Sequence, residues 1–243
     1  MGPVESYKLR NTKTGILFYM DILPGLTSTK KERIPAFLDA MDRLDIRAIA
    51  LFPTCLDKDE RQALYADLER REGLSIPHVH IRSDMDEAEL EYLSRRFGTE
   101  VFNIHPGASS HPYPSPPAAY RRRIFVENVE EAPQEEELRG LSGLCPDYSH
   151  WANALAFGRG GYDQSMRAYC TRYAIGCCHL SALRVGVPNP WHGEWDHHEY
   201  TSLSDLNYLA GYAAFMPSRW ASLELENSLE EQLAAKAYIP SLL

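Results

Sequence analysis

Short apolar runs alternate along this chain with longer segments whose apolar residues recur every three or four positions. That alternation predicts strands interleaved with amphipathic helices. Gly15 to Ile22 predicts a first strand, followed by a helix over Lys31 to Leu44 capped by Thr27, Ser28 or Thr29, with Pro35 early enough to be tolerated. Ala48 to Phe52 predicts a second strand. Asp57 to Arg71 predicts a helix with Leu64 and Leu68 on one face, stopped by Gly73. A third strand follows over Ile76 to Ile81, then a helix over Asp86 to Phe97 ended by Gly98, then a fourth strand over Val101 to His105.

The rhythm loosens at Pro106 to Pro117, a Pro-, Ser- and Gly-rich loop, with a short helix near Ala118 to Arg122. Ile124 to Val129 predicts a fifth strand, Gln134 to Arg139 a short helix, Gly143 to Asp147 a sixth strand and Asp163 to Tyr173 a helix. Ile175 to Leu180 predicts a seventh strand, Gly186 to Tyr200 a second long loop and Ser204 to Phe215 a helix. Trp220 to Leu225 predicts an eighth strand, and Leu229 to Tyr238 a closing helix. Strands that alternate with helices pair in parallel through right-handed crossovers. Eight such units predict an α/β fold of the (β/α)8 TIM-barrel kind, one domain over 1–243, with its active site at the C-terminal face of the strands. A doubly wound open sheet is the alternative. No GxGxxG or Walker-type loop follows the first strand, which weighs against it.

Composition narrows the class. The chain is 44% hydrophobic and 24% charged, as a globular protein with a buried core requires. No apolar run approaches the ~20 residues of a membrane span. The segment Met1 to Thr14 is polar and lacks a signal peptide's apolar stretch. Cys55, Cys145, Cys170, Cys177 and Cys178 follow no CxxC or disulfide pattern, so a reducing, cytoplasmic location is expected, with Cys177 and Cys178 on opposite faces of one strand. The net charge of -9 opposes a nucleic-acid partner. Many of the acids are themselves candidate metal ligands, and bound divalent ions would restore positive charge where a substrate sits. A small-molecule substrate is expected and a membrane is not. No exposed stripe predicts an oligomeric state.

The candidate chemistry lies at the strand ends. The histidines His78, His80, His105, His111, His150, His179, His192, His197 and His198 all fall on the late part of a predicted strand or in the loop after it, and none inside a predicted helix. Glu127, Asp147 and Glu224 fall late in strands five, six and eight. A carboxylate at a buried strand end needs a salt bridge or a metal. Asp147-Tyr148-Ser149-His150 spaces an acid and an imidazole by three residues, and Asp196-His197-His198 by two, although a loop Asp also caps turns. Oxygen and nitrogen ligands without thiolate suit zinc first, with manganese or iron as alternatives.

These residues resemble the ligands of the xylose-isomerase-like TIM-barrel superfamily, which includes sugar isomerases, sugar epimerases and endonuclease IV. The resemblance runs through His80 in HVHIR, His105 in NIHPG, Glu127 in FVENV, Asp147 and His150 in PDYSH, His179 in CCHLS, Asp196 and His198 in WDHHE, and Glu224 in SLELE. His78 and His80 share a face, and the later position favours His80. The endonuclease IV-like pattern implies one to three ions. His80, His105 and Glu127 would hold one. Glu127 (bridging), Asp147, His179 and Glu224 would hold a second, and His150, Asp196 and His198 a third. The set of Glu127, Asp147, His179 and Glu224 is also the single-metal site of the epimerases. Two departures weigh against DNA repair. His179 is followed by Leu180, Ser181, Ala182 and Leu183 where endonuclease IV has Asn-Asp-Ser-Lys, and Arg121 to Arg123 precede strand five on the side away from the site.

Four functions follow from the resemblance. Phosphoester hydrolysis of a small phosphorylated metabolite at a polynuclear centre is the leading expectation. A sugar or sugar-phosphate isomerase or epimerase would use one metal and exchange a proton between Glu127 and Glu224. There His150 and Arg184 would grip hydroxyl groups, and Trp151, Trp191 and Trp195 would form an apolar floor. An abasic-site DNA endonuclease and a non-catalytic metal or ligand binder complete the set. His80, His105, Asp196 and His198 together favour more than one ion.

Overall fold

The computed structural model describes residues 7–10, 17–107, 109 and 116–243. Gly15, Ile16, His111 and most of the Pro106 to Pro117 loop expected above lie outside the described residues.

The chain opens with β1 (Tyr7–Arg10) and β2 (Leu17–Leu23), which pair antiparallel, and continues through β3 (Gly25–Thr27), α1 (Ile34–Arg43), β4 (Ala48–Phe52) and α2 (Lys58–Glu69). β5 (Ser75–His80), α3 (Glu87–Phe97), β6 (Val101–Ile104), β7 (Ile124–Glu127) and α4 (Glu135–Gly140) follow. After β8 (Leu144–Cys145) come α5 (Tyr148–Ala156), α6 (Gly160–Arg172), β9 (Cys177–Leu180), β10 (Ala182–Leu183) and β11 (Asp196–His197). β12 (Trp220–Leu223) and α7 (Leu229–Tyr238) end the fold. Turns of 3-10 helix cover Lys31–Arg33, Ala118–Arg123, Leu203–Phe215 and Ile239–Ser241.

The molecule is a mixed α/β protein. β3 to β8 form a six-stranded sheet in sequence order, all parallel. β12 pairs in parallel with β2 on one side and β9 on the other. Only Pro24, which lacks a ladder donor, separates β2 from β3. Single parallel bridges join Leu144 to Ile175 and Asp147 to His179. Gly25 is required where β3 passes β12, because a Cβ there would run into the Leu223 carbonyl.

Leu90, Leu93 and Phe97 form the buried stripe of α3, and Phe37, Leu38 and Met41 that of α1. These pack on the outward side chains of the strands, such as Leu51, Val79 and Phe102. A separate cluster of Leu23, Ala50, Phe52, Phe125, Cys145, Cys177 and Trp220 fills the space between strands. Cys177 and Cys178 fall in different clusters, as their alternation predicts, and all five cysteines are free. Among the described residues no helix is long and apolar enough to cross a membrane.

Three expectations are corrected. The first helix lacks a hydroxyl cap. Thr27 ends β3, the Ser28 hydroxyl donates to the Phe52 carbonyl, and Thr29 donates to Glu226. Residues after the sixth strand, read as loop, form α5, capped by Asp147 through the Ser149 and His150 amides. His150 therefore sits in a helix. The loop from Gly186 to Tyr200 is an excursion closed by the antiparallel pair of β10 and β11.

Candidate metal centre

Parallel strands deliver their C-terminal ends to one side of a sheet, and the expected ligands arrive there. His80 and Glu127 are the last residues of β5 and β7, His105 and Glu224 follow β6 and β12 directly, and His179 lies on β9. Asp147 follows β8, and its backbone is clamped by Asn128, whose side chain accepts from Asp147 N at 2.9 Å and donates to its carbonyl at 2.8 Å.

Glu127 stands in the middle. Its Oε2 lies 3.0 Å from His80 Nε2 and 4.0 Å from His105 Nε2. Its Oε1 lies 3.3 Å from His179 Nδ1, which is also 3.0 Å from Glu224 Oε2 and 4.0 Å from Asp147 Oδ2. Two groups result, each with donor atoms within 4.8 Å of one another: His80, His105 and Glu127, and then Glu127, Asp147, His179 and Glu224. His80 rather than His78 reaches the centre, because both His78 nitrogens are taken by Ser222 and Asn103.

The donor set fits a divalent cation. Asp147 Oδ2, Glu224 Oε2 and His179 Nδ1 are buried and make no hydrogen bond, although they converge. The ion-pair partners of the three carboxylates among the described residues are histidines. Burying three carboxylates against imidazoles alone is costly, and a bound ion offsets the cost.

The charges respond to this crowding. Burial would raise the Glu127 carboxyl, but His179 and His80 override it and hold it well below the usual range. Burial likewise opposes ionisation of Glu224, which His179 and His198 nevertheless hold at about 2. Asp147 stays raised, by burial and by Glu224 beside it, against the pull of His150. Burial and the neighbouring His80 push His105 down to about 4, whereas Glu127 and Glu224 overcome burial and hold His179 above the usual imidazole range.

The outer group differs from expectation. His150 Nδ1 bonds Asp196 Oδ2 at 2.8 Å, and His150 Nε2 lies 3.8 Å from Asp147 Oδ2. His198, expected beside them, instead places Nδ1 3.8 Å from Glu224 Oε1. The imidazole facing the unpartnered Asp196 Oδ1 is His192, at 3.8 Å. Glu194 completes a group with His192 and Asp196, but its carboxylate is already engaged by Asn153 and Arg159. His197 is turned away and bonds the Val187 carbonyl.

The expected aromatic floor is corrected at Trp151. Trp151 is fully buried, stacks among Tyr148, Tyr212 and Phe215, and donates its indole N–H to Asp163, so it belongs to the core. Trp195 packs at a tilt against Phe157, and Trp191 is 92% exposed at the tip of the excursion. Arg184 follows β10, partly exposed, with its backbone on the Trp195 carbonyl. A cleft of about 420 Å³ between α1 and α7 contains none of the expected ligands, and its cations Lys30, Arg33 and Arg43 are paired with Glu226, Glu199 and Glu230.

Sequence reasoning named His192 without pairing it with Asp196, and missed Asn103 and the clamping role of Asn128. Asn103 had a signal: a polar residue in mid-strand, spaced two before His105, faces the same side as that ligand. The chain matches no protein-family model, and no curated protein matches it at a significant level.

Proposed function

We propose that this chain is a divalent-metal-dependent enzyme that hydrolyses a phosphoester in a small substrate at a polynuclear centre. The observation that carries the reading is Glu127, whose two oxygens face separate donor groups, an arrangement that would let one carboxylate serve two ions. His80 and His105 would hold one ion with Glu127, and Asp147, His179 and Glu224 another. Asp196 and His150 would hold a third, completed by His198 or His192. Bound ions of this kind supply Lewis-acid polarisation of a phosphoryl oxygen and a nucleophilic water at neutral pH.

The protein's part is to orient and to exclude. Glu127 and His179 are buried and fixed by strand ends, so the donors are preorganised. Arg184 has no carboxylate partner among the described residues and would attract an anionic substrate. Around the same face Lys30, Arg33, Arg82 and Arg159 are neutralised by Glu199, Glu226, Asp84 and Glu194, which favours a small anion over a nucleic acid.

The wider reading is a closed (β/α)8 barrel of the xylose-isomerase-like kind. It is supported by the passage of β2 into β3 across Pro24 and by the parallel bridges between the β8 and β9 segments. An isomerase or epimerase is the second reading, favoured by Glu127 and Glu224 flanking His179 at 3.3 and 3.0 Å, a pair suited to proton exchange. Metal-loaded protein should release phosphate or alcohol from small phosphoesters. If it converts aldoses to ketoses and leaves phosphoesters intact, the second reading replaces the first.

A further inference from the structure

Beneath the ligands, four buried side chains form one line of hydrogen bonds. Ser222 Oγ lies 2.7 Å from His78 Nδ1, His78 Nε2 lies 2.9 Å from Asn103 Oδ1, and Asn103 Nδ2 lies 2.7 Å from Glu127 Oε2. The line joins β12 to β5, β6 and β7, and Ser222, His78 and Asn103 are wholly inaccessible to solvent.

Chemistry fixes its direction. An ionised carboxylate only accepts, so the Asn103 amide must donate to Glu127. The Asn103 carbonyl then faces His78 and must accept, so His78 carries its proton on Nε2. His78 Nδ1 is therefore bare and accepts from the Ser222 hydroxyl. Every donor in the line points towards Glu127.

We propose that Ser222, His78 and Asn103 are positioning residues that lock the Glu127 carboxylate in the rotation a bridging ligand needs. With Oε2 held by Asn103, Oε2 faces His80 and Oε1 faces His179. Released, the carboxylate could turn both oxygens to one side and serve a single ion. This role rests on the reading of Glu127 as a metal ligand. It competes with one other use of the same residues: His78, Cys145 and His179 have donor atoms close enough to hold an ion themselves. Such an ion would need a His78 nitrogen, and both are already used in the line.

The test has two arms on the intact protein. Nitrogen-15 NMR of the histidines reads the His78 tautomer, with the resonance assigned by comparison with His78→Phe. The line requires hydrogen on Nε2 and a bare, hydrogen-bonded Nδ1, unchanged when zinc is added. Hydrogen on Nδ1, or a His78 resonance that shifts to a metal-bound position, would overturn the proposal. In the second arm, zinc affinity is measured by competition with a chromophoric chelator for Asn103→Leu, Ser222→Ala and Ser222→Thr. The proposal predicts that Asn103→Leu weakens binding by about 10–100-fold, as is usual for a lost outer partner of a ligand. Ser222→Ala should weaken it less, and Ser222→Thr, which keeps the hydroxyl, should restore it. Folded Asn103→Leu with wild-type affinity would overturn the proposal, and if that variant does not fold, the tautomer decides. Wild-type protein that takes up no zinc would instead sink the reading of the site itself, whatever the tautomer proves to be.

Discussion

His150 Nδ1 lies 2.8 Å from Asp196 Oδ2, which ties the first turn of α5 to the β11 end of the long excursion. Burial alone would raise the Asp196 carboxyl, yet the bond to His150 holds it at about 2. Among the described residues, Asp196 Oδ1 is the carboxylate oxygen of the outer group left without a hydrogen bond, and removing the acid removes it. Asp196→Ala should therefore lose one metal equivalent and keep those held around Glu127, as read by elemental analysis. His198→Ala separates the two functional readings: it should cripple a polynuclear hydrolase, and leave most metal affinity in a one-metal isomerase.

Glu127→Gln keeps the shape of the side chain and removes its charge. The amide can no longer serve as a bridging anion, and its nitrogen meets either the Asn103 donor and His80, in place of Oε2, or His179, in place of Oε1. Activity should fall by about 10²–10⁴-fold in kcat/KM under either mechanism. A variant with near-normal turnover on the proper substrate would remove Glu127 from the chemistry.

Away from the centre, Arg61 is fully buried and spans α2 and α3. It donates to Glu89 through Nε and Nη2, at 2.7 and 2.9 Å, and to the Leu56 carbonyl at 3.0 Å. Arg61→Met leaves Glu89 nearly buried without a cation, so about 3–5 kcal/mol of stability should be lost in urea denaturation. The double variant Arg61→Met, Glu89→Leu should recover much of that loss. Additive loss in the double variant would contradict this view of the pair.

Trp151 and Trp191 make a paired test of core against rim. Trp151→Ala empties a fully buried site and should cost about 3–5 kcal/mol. Trp191→Ala touches a residue 92% exposed and should shift stability by no more than about 0.5 kcal/mol. Any effect of Trp191→Ala on KM would then report substrate contact at the excursion.

Much of this was legible because strands buried on both faces spell continuous apolar runs. Ala48 to Phe52 coincides with β4, and the helix stop at Gly98 is a left-handed cap with φ of 67°. The ligands were legible because a charged group at a buried strand end needs an opposite charge or a bound ion to offset its desolvation. α5 was hidden because the Asp147–His150 spacing read as loop chemistry, although Asp147 followed by Ala152, Ala154, Leu155 and Ala156 carries both a cap and helix formers. Trp151 was misplaced for the same reason: on a helix it turns inward, whereas on a loop it would have faced the mouth. The pairing of His192 with Asp196, and of His198 with Glu224, depends on how the excursion folds back, which no spacing in the sequence encodes.

The most direct test of the central claim is the number of metal ions per chain, measured by elemental analysis of protein purified without chelator. Two or three equivalents of zinc or manganese, falling on Glu127→Gln, are the predicted result. One equivalent would hand the site to the isomerase reading. No metal, even after reconstitution, would contradict the central claim.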